Sequence, residues 1–253
     1  MIELYNDDCL LAMSKIPNES VDLILCDLPY GITQNKDDIR LPFDKLWEQY
    51  RRIINKNGTI LLFGSGIFYV DLVNSNRAWF KYDLVWDKCL TSGFLNAKRM
   101  PLRRHEQIAV FRPNGGVPVY NPQMTKGSPL HSKGVNYKNK EFTNNNYGKF
   151  NTTDDSRSGC TDKYPTSIVT VKKSHPSVAK HRTEKPVELL EWLIKTYTDD
   201  GATVLDNCMG AGSCGVACVN TNRNFVGIEI DEHYFSVAKS QIAEAVEKRL
   251  KSS

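Results

Sequence analysis

Long apolar runs are missing from this chain of 253 residues. No stretch approaches the ~20 consecutive apolar residues that a membrane-spanning helix needs, and Met1-Ile2-Glu3-Leu4-Tyr5-Asn6-Asp7 has neither the basic nor the apolar part of a secretory leader. The expectation is a soluble, cytoplasmic protein with no membrane partner. CxxC pairs are missing too. The seven cysteines, at 9, 26, 89, 160, 208, 214 and 218, are odd in number and mostly lie in apolar segments beside small residues, so they read as reduced, buried small hydrophobes, and no metal is expected.

Acidic residues are scarce between Lys98 and Arg182, where 16 Lys and Arg stand against 5 Asp and Glu, a net +11. The rest of the chain is −7, so the total of +4 conceals a segregated basic block. Such a block suits a polyanion, because each phosphate neutralised releases counterions and adds sequence-independent affinity. It also reads as a solvated surface insert. From Arg112 to about Lys180 aliphatics are few and Asn, Gly, Lys, Pro, Ser and Thr abound, which predicts a loop-rich segment.

What is present outside that block alternates between strand-like and helix-like patterns. Strands are expected at Ile2–Tyr5, Val21–Cys26, Thr59–Phe63, Tyr82–Trp86, Gln107–Phe111, Thr203–Leu205 and Phe225–Ile230. Helical spacing covers positions 43, 46, 47, 50, 53 and 54, stopping at Asn57-Gly58; positions 187, 190, 194 and 197 follow Thr183 as cap and Pro186 in the first turn. Further helices open at Gly210–Cys218 and run from Tyr234 to Arg249. The alternation predicts a doubly wound α/β sheet divided into residues 1–111, an insert at 112–180 and a closing half at 181–253.

Two motifs end apolar runs, Asp27-Leu28-Pro29-Tyr30 and Asp206-Asn207-Cys208-Met209-Gly210-Ala211-Gly212-Ser213. Ligands of such sheets bind outside the carboxyl ends of the strands, which puts both motifs in one crevice. Gly210 and Gly212 let backbone approach a ligand, although GxG alone is weak evidence. Glu229, at the next strand end, is placed to accept hydrogen bonds from two ribose hydroxyls, or else is an ordinary helix-capping acid. Taken as GxGS, the loop favours a ligand with a ribose and no pyrophosphate, for which S-adenosyl-L-methionine is the common choice.

With those residues in view, the chain resembles the amino-group DNA methyltransferases of the β arrangement, in which an Asp-Pro-Pro-Tyr tetrapeptide precedes the target-recognition region and the cofactor loop comes last. The matching segments are Asp27 to Tyr30, the basic block after Phe111, His181 to Pro186, Val204 to Ser213 and Phe225 to Asp231; roughly 112–175 is not covered. Leu28 replaces the first proline, and Cys208-Met209 stands where the family often has phenylalanine. The resemblance implies a Rossmann-like, mostly parallel seven-stranded sheet in permuted order. It implies methyl transfer from S-adenosyl-L-methionine to an exocyclic amine of a base flipped out of double-stranded DNA, in the manner of restriction-modification enzymes.

Asp27, Leu28, Pro29 and Tyr30 are the catalytic candidates: acceptors from the Asp27 carboxylate and the Leu28 carbonyl, and a stacking ring from Tyr30. For the cofactor the resemblance implicates Asp8, Cys9, Thr183, Lys185, Pro186, Asp206, Cys208, Gly210, Gly212, Ser213 and Glu229; Asp8 also reads as a loop cap and Lys185 as a surface lysine. Arg99, Arg103, Arg104, Lys126, Lys133, Lys138, Lys172 and Lys173 are candidates for DNA contact, with Tyr137, Phe142 and Tyr147 as wedges and Gln34 to Pro42 as a closing loop. Asp at 27, where cytosine-N4 members more often carry Ser, favours adenine N6. The absence of a Pro-Cys dipeptide argues against cytosine-C5 chemistry. Cytosine N4, an RNA base, a protein glutamine and a non-catalytic DNA-binding module are the alternatives. Many family members pair, so a homodimer is compatible.

Overall fold

The computed structural model describes residues 1–31, 39–131, 141–146, 148–151, 157–173 and 184–252. In chain order the elements are β1 (Ile2–Asn6), α1 (Cys9–Met13), β2 (Val21–Cys26), α2 (Phe43–Ile53), β3 (Ile54–Gly64), α3 (Gly66–Ser75), β4 (Phe80–Ser92), β5 (Arg103–Phe111), β6 (Thr125–Lys126), β7 (Glu141–Asn144), β8 (Gly148–Asn151), β9 (Asp162–Lys163), β10 (Ile168–Thr170), α4 (Val187–Tyr197), β11 (Thr203–Asp206), α5 (Ser213–Asn220), β12 (Asn224–Glu229) and α6 (Glu232–Ser252). They fall into two compact units, Met1–Asn121 with Ser167–Ser253, and Pro122–Thr166.

The larger unit is built on one sheet in the order β1-β12-β11-β2-β3-β5-β4-β10, parallel except for β5, which runs against both neighbours. Side chains of period two divide each central strand between the faces. Leu23 and Leu25 of β2, with Leu61 and Phe63 of β3, join the cluster under α4, α5 and α6, whereas Ile24, Cys26, Ile60 and Leu62 join the one under α1, α2 and α3. Burial on both faces explains why these strands read as unbroken apolar runs.

Three sequence expectations need correction. The sheet has eight strands, not seven: β10 lies parallel to β4, Ile168 opposite Val85 and Thr170 opposite Asp87, and the Trp86 indole donates to the Val171 carbonyl at 2.8 Å. Three residues inside a polar segment are too few for periodicity to register. The insert is accordingly narrower than 112–180, since Asn121 donates its backbone N–H to Thr196 of α4 at 2.8 Å and residues 167–173 follow the sheet edge. Finally, α2 ends at Ile53. Ile54 is already extended and pairs with Val21, and a Cβ on Gly58 would lie 2.6 Å from the Ile54 side chain, so that glycine serves strand packing and is not a helix stop.

The smaller unit contains two short antiparallel pairs, β6 with β9 and β7 with β8. Phe142 stacks on Phe150 across the second pair, ring centroids 6.2 Å apart. Tyr137, Tyr147 and residues 34–38 of the expected closing loop lie outside the described residues. No described helix is long and apolar enough to cross a membrane.

Candidate active site

β2 and β11 are neighbours, and both motifs follow their carboxyl ends. A cavity of about 940 Å³ opens there, at the upper end of the ~300–1,000 Å³ usual for small-molecule sites. Its lining includes Asp8 and Cys9 after β1, Asp27 to Tyr30, Lys185, residues 206–211, Ser213 and Glu229. The predicted cofactor and amine groups are thus brought to one place, apart from Gly212 and Pro186, which are not part of the lining, and Thr183, which lies outside the described residues.

At the amine end, the Tyr30 hydroxyl donates to Asp27 Oδ1 at 2.9 Å, and the Tyr30 ring stacks on Phe68 with centroids 4.4 Å apart and planes 23° apart. Burial, then the Asp27 charge, raises the Tyr30 hydroxyl well above its ordinary range, so it stays a donor. Leu28 is 3 % exposed and belongs to the apolar cluster on the α1–α3 side. Where the family has proline, a buried aliphatic side chain fills the place and only the backbone is left for polar contact.

Lys185 is no surface lysine. Its ammonium is 8 % exposed, pairs with Asp27 Oδ2, lies 3.3 Å from Glu106 Oε2 and sits 4.8 Å above the centroid of Phe63. Burial works against its charge, but Asp27 and Glu106 outweigh that and hold its pKa above the usual lysine value. Glu106 also accepts from Lys88 at 3.2 Å. Burial opposes the Glu106 charge as well, and Lys185 and Lys88 overcome it and keep the carboxyl below its ordinary value. The sequence marks neither Glu106 nor Lys88. β5 is antiparallel, so the start of that strand, not its end, reaches the cleft, and strand direction is a long-range fact that local pattern does not carry.

At the cofactor end, Asp206 is buried and accepts the Cys208 N–H at 3.1 Å; burial is the main reason its carboxyl is pushed up to about 7. Glu229 accepts the Gly210 N–H and the Asp231 N–H, each at 2.9 Å, so its carboxylate is fixed at the strand end, and burial raises its pKa. Asp8 does cap α1, accepting from Leu10 and Leu11 at 2.8 and 3.1 Å, and lines the cavity as well. Ser213 donates to Glu184 at 2.9 Å, tying the loop to the segment that carries Lys185. Pro186 is the N-cap of α4 and makes no side-chain cap bond.

Two glycine assignments change. Gly212, at φ +87°, would place a Cβ 2.8 Å from Ala238 of α6, so its smallness serves helix packing. A third glycine, Gly215, completes Gly210-Ala211-Gly212-Ser213-Cys214-Gly215, and its Cβ would lie 2.4 Å from Ile242 and 2.8 Å from Phe225. The loop therefore has the full GxGxxG spacing, and glycine count does not separate S-adenosyl-L-methionine from a dinucleotide.

Among the cysteines, Cys9, Cys26, Cys214 and Cys218 are buried and Cys89 is exposed; all seven are free. Among the described residues no cluster could hold a metal ion. Of the DNA-contact candidates, Arg103 donates to Ser65 at the cavity wall, Arg104 pairs with Asp87 at 2.7 Å and Lys126 with Asp162 at 2.6 Å. Arg99 and Lys172 are exposed, while Lys173 is half-buried and its pKa is lowered by burial and then by Lys185. Lys133 and Lys138 lie outside the described residues.

The chain has relatives among known proteins. The chain is 25 % identical over 260 residues to the type II methyltransferase M.HpaI of Haemophilus parainfluenzae, covering 94 % of this chain and 73 % of that one. It is 26 % identical over 269 residues to M.HinfI of Haemophilus influenzae, covering 95 % and 68 %. Its fold matches the crystal structure of M1.HpyAVI with S-adenosyl-L-methionine (TM-score 0.65, 24 % identity, 95 % of this chain and 100 % of that one) and the cytosine-N4-specific PvuII DNA methyltransferase (0.67, 12 %, 100 % and 93 %). With the family's sequence profile matching residues 21–240, the chain belongs to the DNA methylase family of N6 and N4 methyltransferases.

Proposed function

We propose that this DNA methyltransferase modifies the N6 amine of adenine. One observation carries the reading: the side chain at the amine end is a carboxylate, Asp27, held by a buried lysine at the mouth of β2. An exocyclic amine is a weak nucleophile because its lone pair is delocalised into the ring. Bound S-adenosyl-L-methionine supplies a methyl on a sulfonium sulfur; as the amine lone pair forms the N–C bond, the C–S pair returns to sulfur and the nitrogen becomes cationic until it sheds a proton. Asp27 and the Leu28 carbonyl accept the two N–H groups, favour the pyramidal nitrogen and stabilise its developing charge. Tyr30, backed by Phe68, stacks on the base, and such stacking is worth ~1–3 kcal/mol against the few kcal/mol that flipping costs.

The cofactor contacts follow the same reading. Asp206 and the Gly210 loop take the methionine end, Glu229 the ribose hydroxyls and Asp8 the adenine amine, with Cys9, Cys208 and Ser213 in the wall. The rim carries the DNA. Around the turn between β4 and β5, Phe94 and Leu95 are 77 % and 83 % exposed and are followed by Lys98, Arg99, Arg103 and Arg104, cations suited to phosphates. Incubating the protein with methyl-labelled S-adenosyl-L-methionine and unmethylated mixed-sequence DNA, then digesting to nucleosides, tests the assignment. N6-methyladenine is expected. Label in N4-methylcytosine would move the protein to the other branch of its family.

A further inference from the structure

Beside Asp27, two charged side chains that line the same cavity are left unused by the reaction. They are Lys88 on β4, 7 % exposed, and Glu106 on β5, 13 % exposed. Buried charges persist where they are paired, and breaking such a pair costs more than the pair contributes. One Glu106 oxygen accepts from Lys88 at 3.2 Å; the other, 3.3 Å from Lys185 Nζ, is buried without a partner in hydrogen-bond geometry. Lys185 in turn closes on Asp27.

The groups around Lys185 come from four elements: Asp27 after β2, Glu106 on β5, Lys88 on β4 and Lys173 beyond β10, with the Phe63 ring beneath. Three ammonium groups share two carboxylates. Without the Glu106 charge, Asp27 alone would face all three.

We propose that Glu106 is a positioning residue for methyl transfer: its carboxylate, steadied by Lys88, holds the Lys185 ammonium on Asp27 Oδ2, so that Asp27 turns Oδ1 toward the substrate amine. Tyr30 donates to that same Oδ1, so each Asp27 oxygen is held by one donor. A lysine stem has four rotatable methylenes, and a second anchor converts a mobile counterion into a fixed one. The geometry of the amine acceptor is then set two side chains away from the base. This inference rests on the methyltransferase reading and adds a residue to it.

The test is steady-state methyl transfer from labelled S-adenosyl-L-methionine to unmethylated mixed-sequence duplex DNA, with Glu106→Gln, Glu106→Asp and Lys88→Met beside the wild type. Glu106→Gln keeps the size and removes the charge. Its kcat is expected to fall ~10–100-fold with KM for S-adenosyl-L-methionine within ~3-fold, because acceptor geometry is lost and cofactor contacts are not. Its alkaline limb in the kcat–pH profile should move to lower pH, since one of the two carboxylates that keep Lys185 charged has gone. Lys88→Met should move that limb the opposite way, because a like charge is removed and one ammonium fewer shares Glu106 with Lys185. Glu106→Asp should recover part of the rate. A general packing defect would lower melting temperature without opposed pH shifts. Wild-type kcat and limb in Glu106→Gln, or limbs displaced in the same direction in Glu106→Gln and Lys88→Met, would overturn the proposal; if Glu106→Gln does not fold, an unmoved limb in both Lys88→Met and Glu106→Asp overturns it equally. A wild-type protein that transfers no label to DNA would instead strike the methyltransferase reading itself.

Discussion

Asp27 follows β2 and Asp206 closes β11, adjacent strands that open on one cavity, yet their surroundings differ by one lysine. Asp27 carries Lys185 as a built-in counterion, itself anchored by Glu106. Asp206 pairs with no cation among the described residues; it accepts one backbone N–H, and burial pushes its carboxyl up to about 7. An anion with its own cation is fixed for chemistry, whereas an acid without one is left for a ligand's positive charge to ionise. The two ends of the cleft are therefore expected to fail separately when altered.

The sharpest break comes at the amine end. Asp27→Ala should lower single-turnover methyl transfer by ~10²–10³-fold, as removal of a charge-stabilising group does, while calorimetry shows S-adenosyl-L-methionine binding within ~3-fold of wild type. Loss of binding in step with rate would merge the two ends and refute the division.

Gly212→Ala probes the other end. At φ +87°, with Ala238 2.8 Å from the added Cβ, the substitution should destabilise the fold by ~1–3 kcal/mol. Thermal melting would show it, and an unchanged midpoint would mean that α6 yields freely.

A smaller effect, at neither end, is expected of Lys126→Ala. If this exposed side chain, 77 % accessible and paired with Asp162, meets a phosphate, the slope of log affinity for DNA against log salt should decrease by ~1 without a change in kcat. An unchanged slope would remove Lys126 from the DNA face.

Legibility in the sequence follows the range of the physics. β2 can be read residue by residue because its burial on both faces writes an apolar run, and Asp27 and Asp206 can be placed because strand ends are local. β10 is out of reach: three residues held by pairing with β4 leave no period to see. Glu106 escapes for a related reason, since only the antiparallel course of β5 brings the first half of that strand to the carboxyl ends of its neighbours, and Lys88 stands out only through its pairing with Glu106. Gly215 is visible in the sequence, but reading the loop as GxGS passes over it, and its contacts with Ile242 and Phe225 show that its role is packing. Lys185 is legible as part of a motif, but its burial against Asp27, 158 positions away, belongs to the fold alone.

The separation of the two aspartates is tested most directly by proton release on binding S-adenosyl-L-methionine, measured by calorimetry at pH 7 in buffers of different ionisation enthalpy. The free Asp206 carboxyl is about half protonated there, and a ligand cation beside it favours the anion, so binding should release up to ~0.5 proton and weaken ~10-fold per unit as pH falls below about 7. The account predicts that Asp206→Asn abolishes this release and flattens the pH dependence, while Asp27→Asn leaves both close to wild type. Release that survives Asp206→Asn, or vanishes with Asp27→Asn, would contradict it.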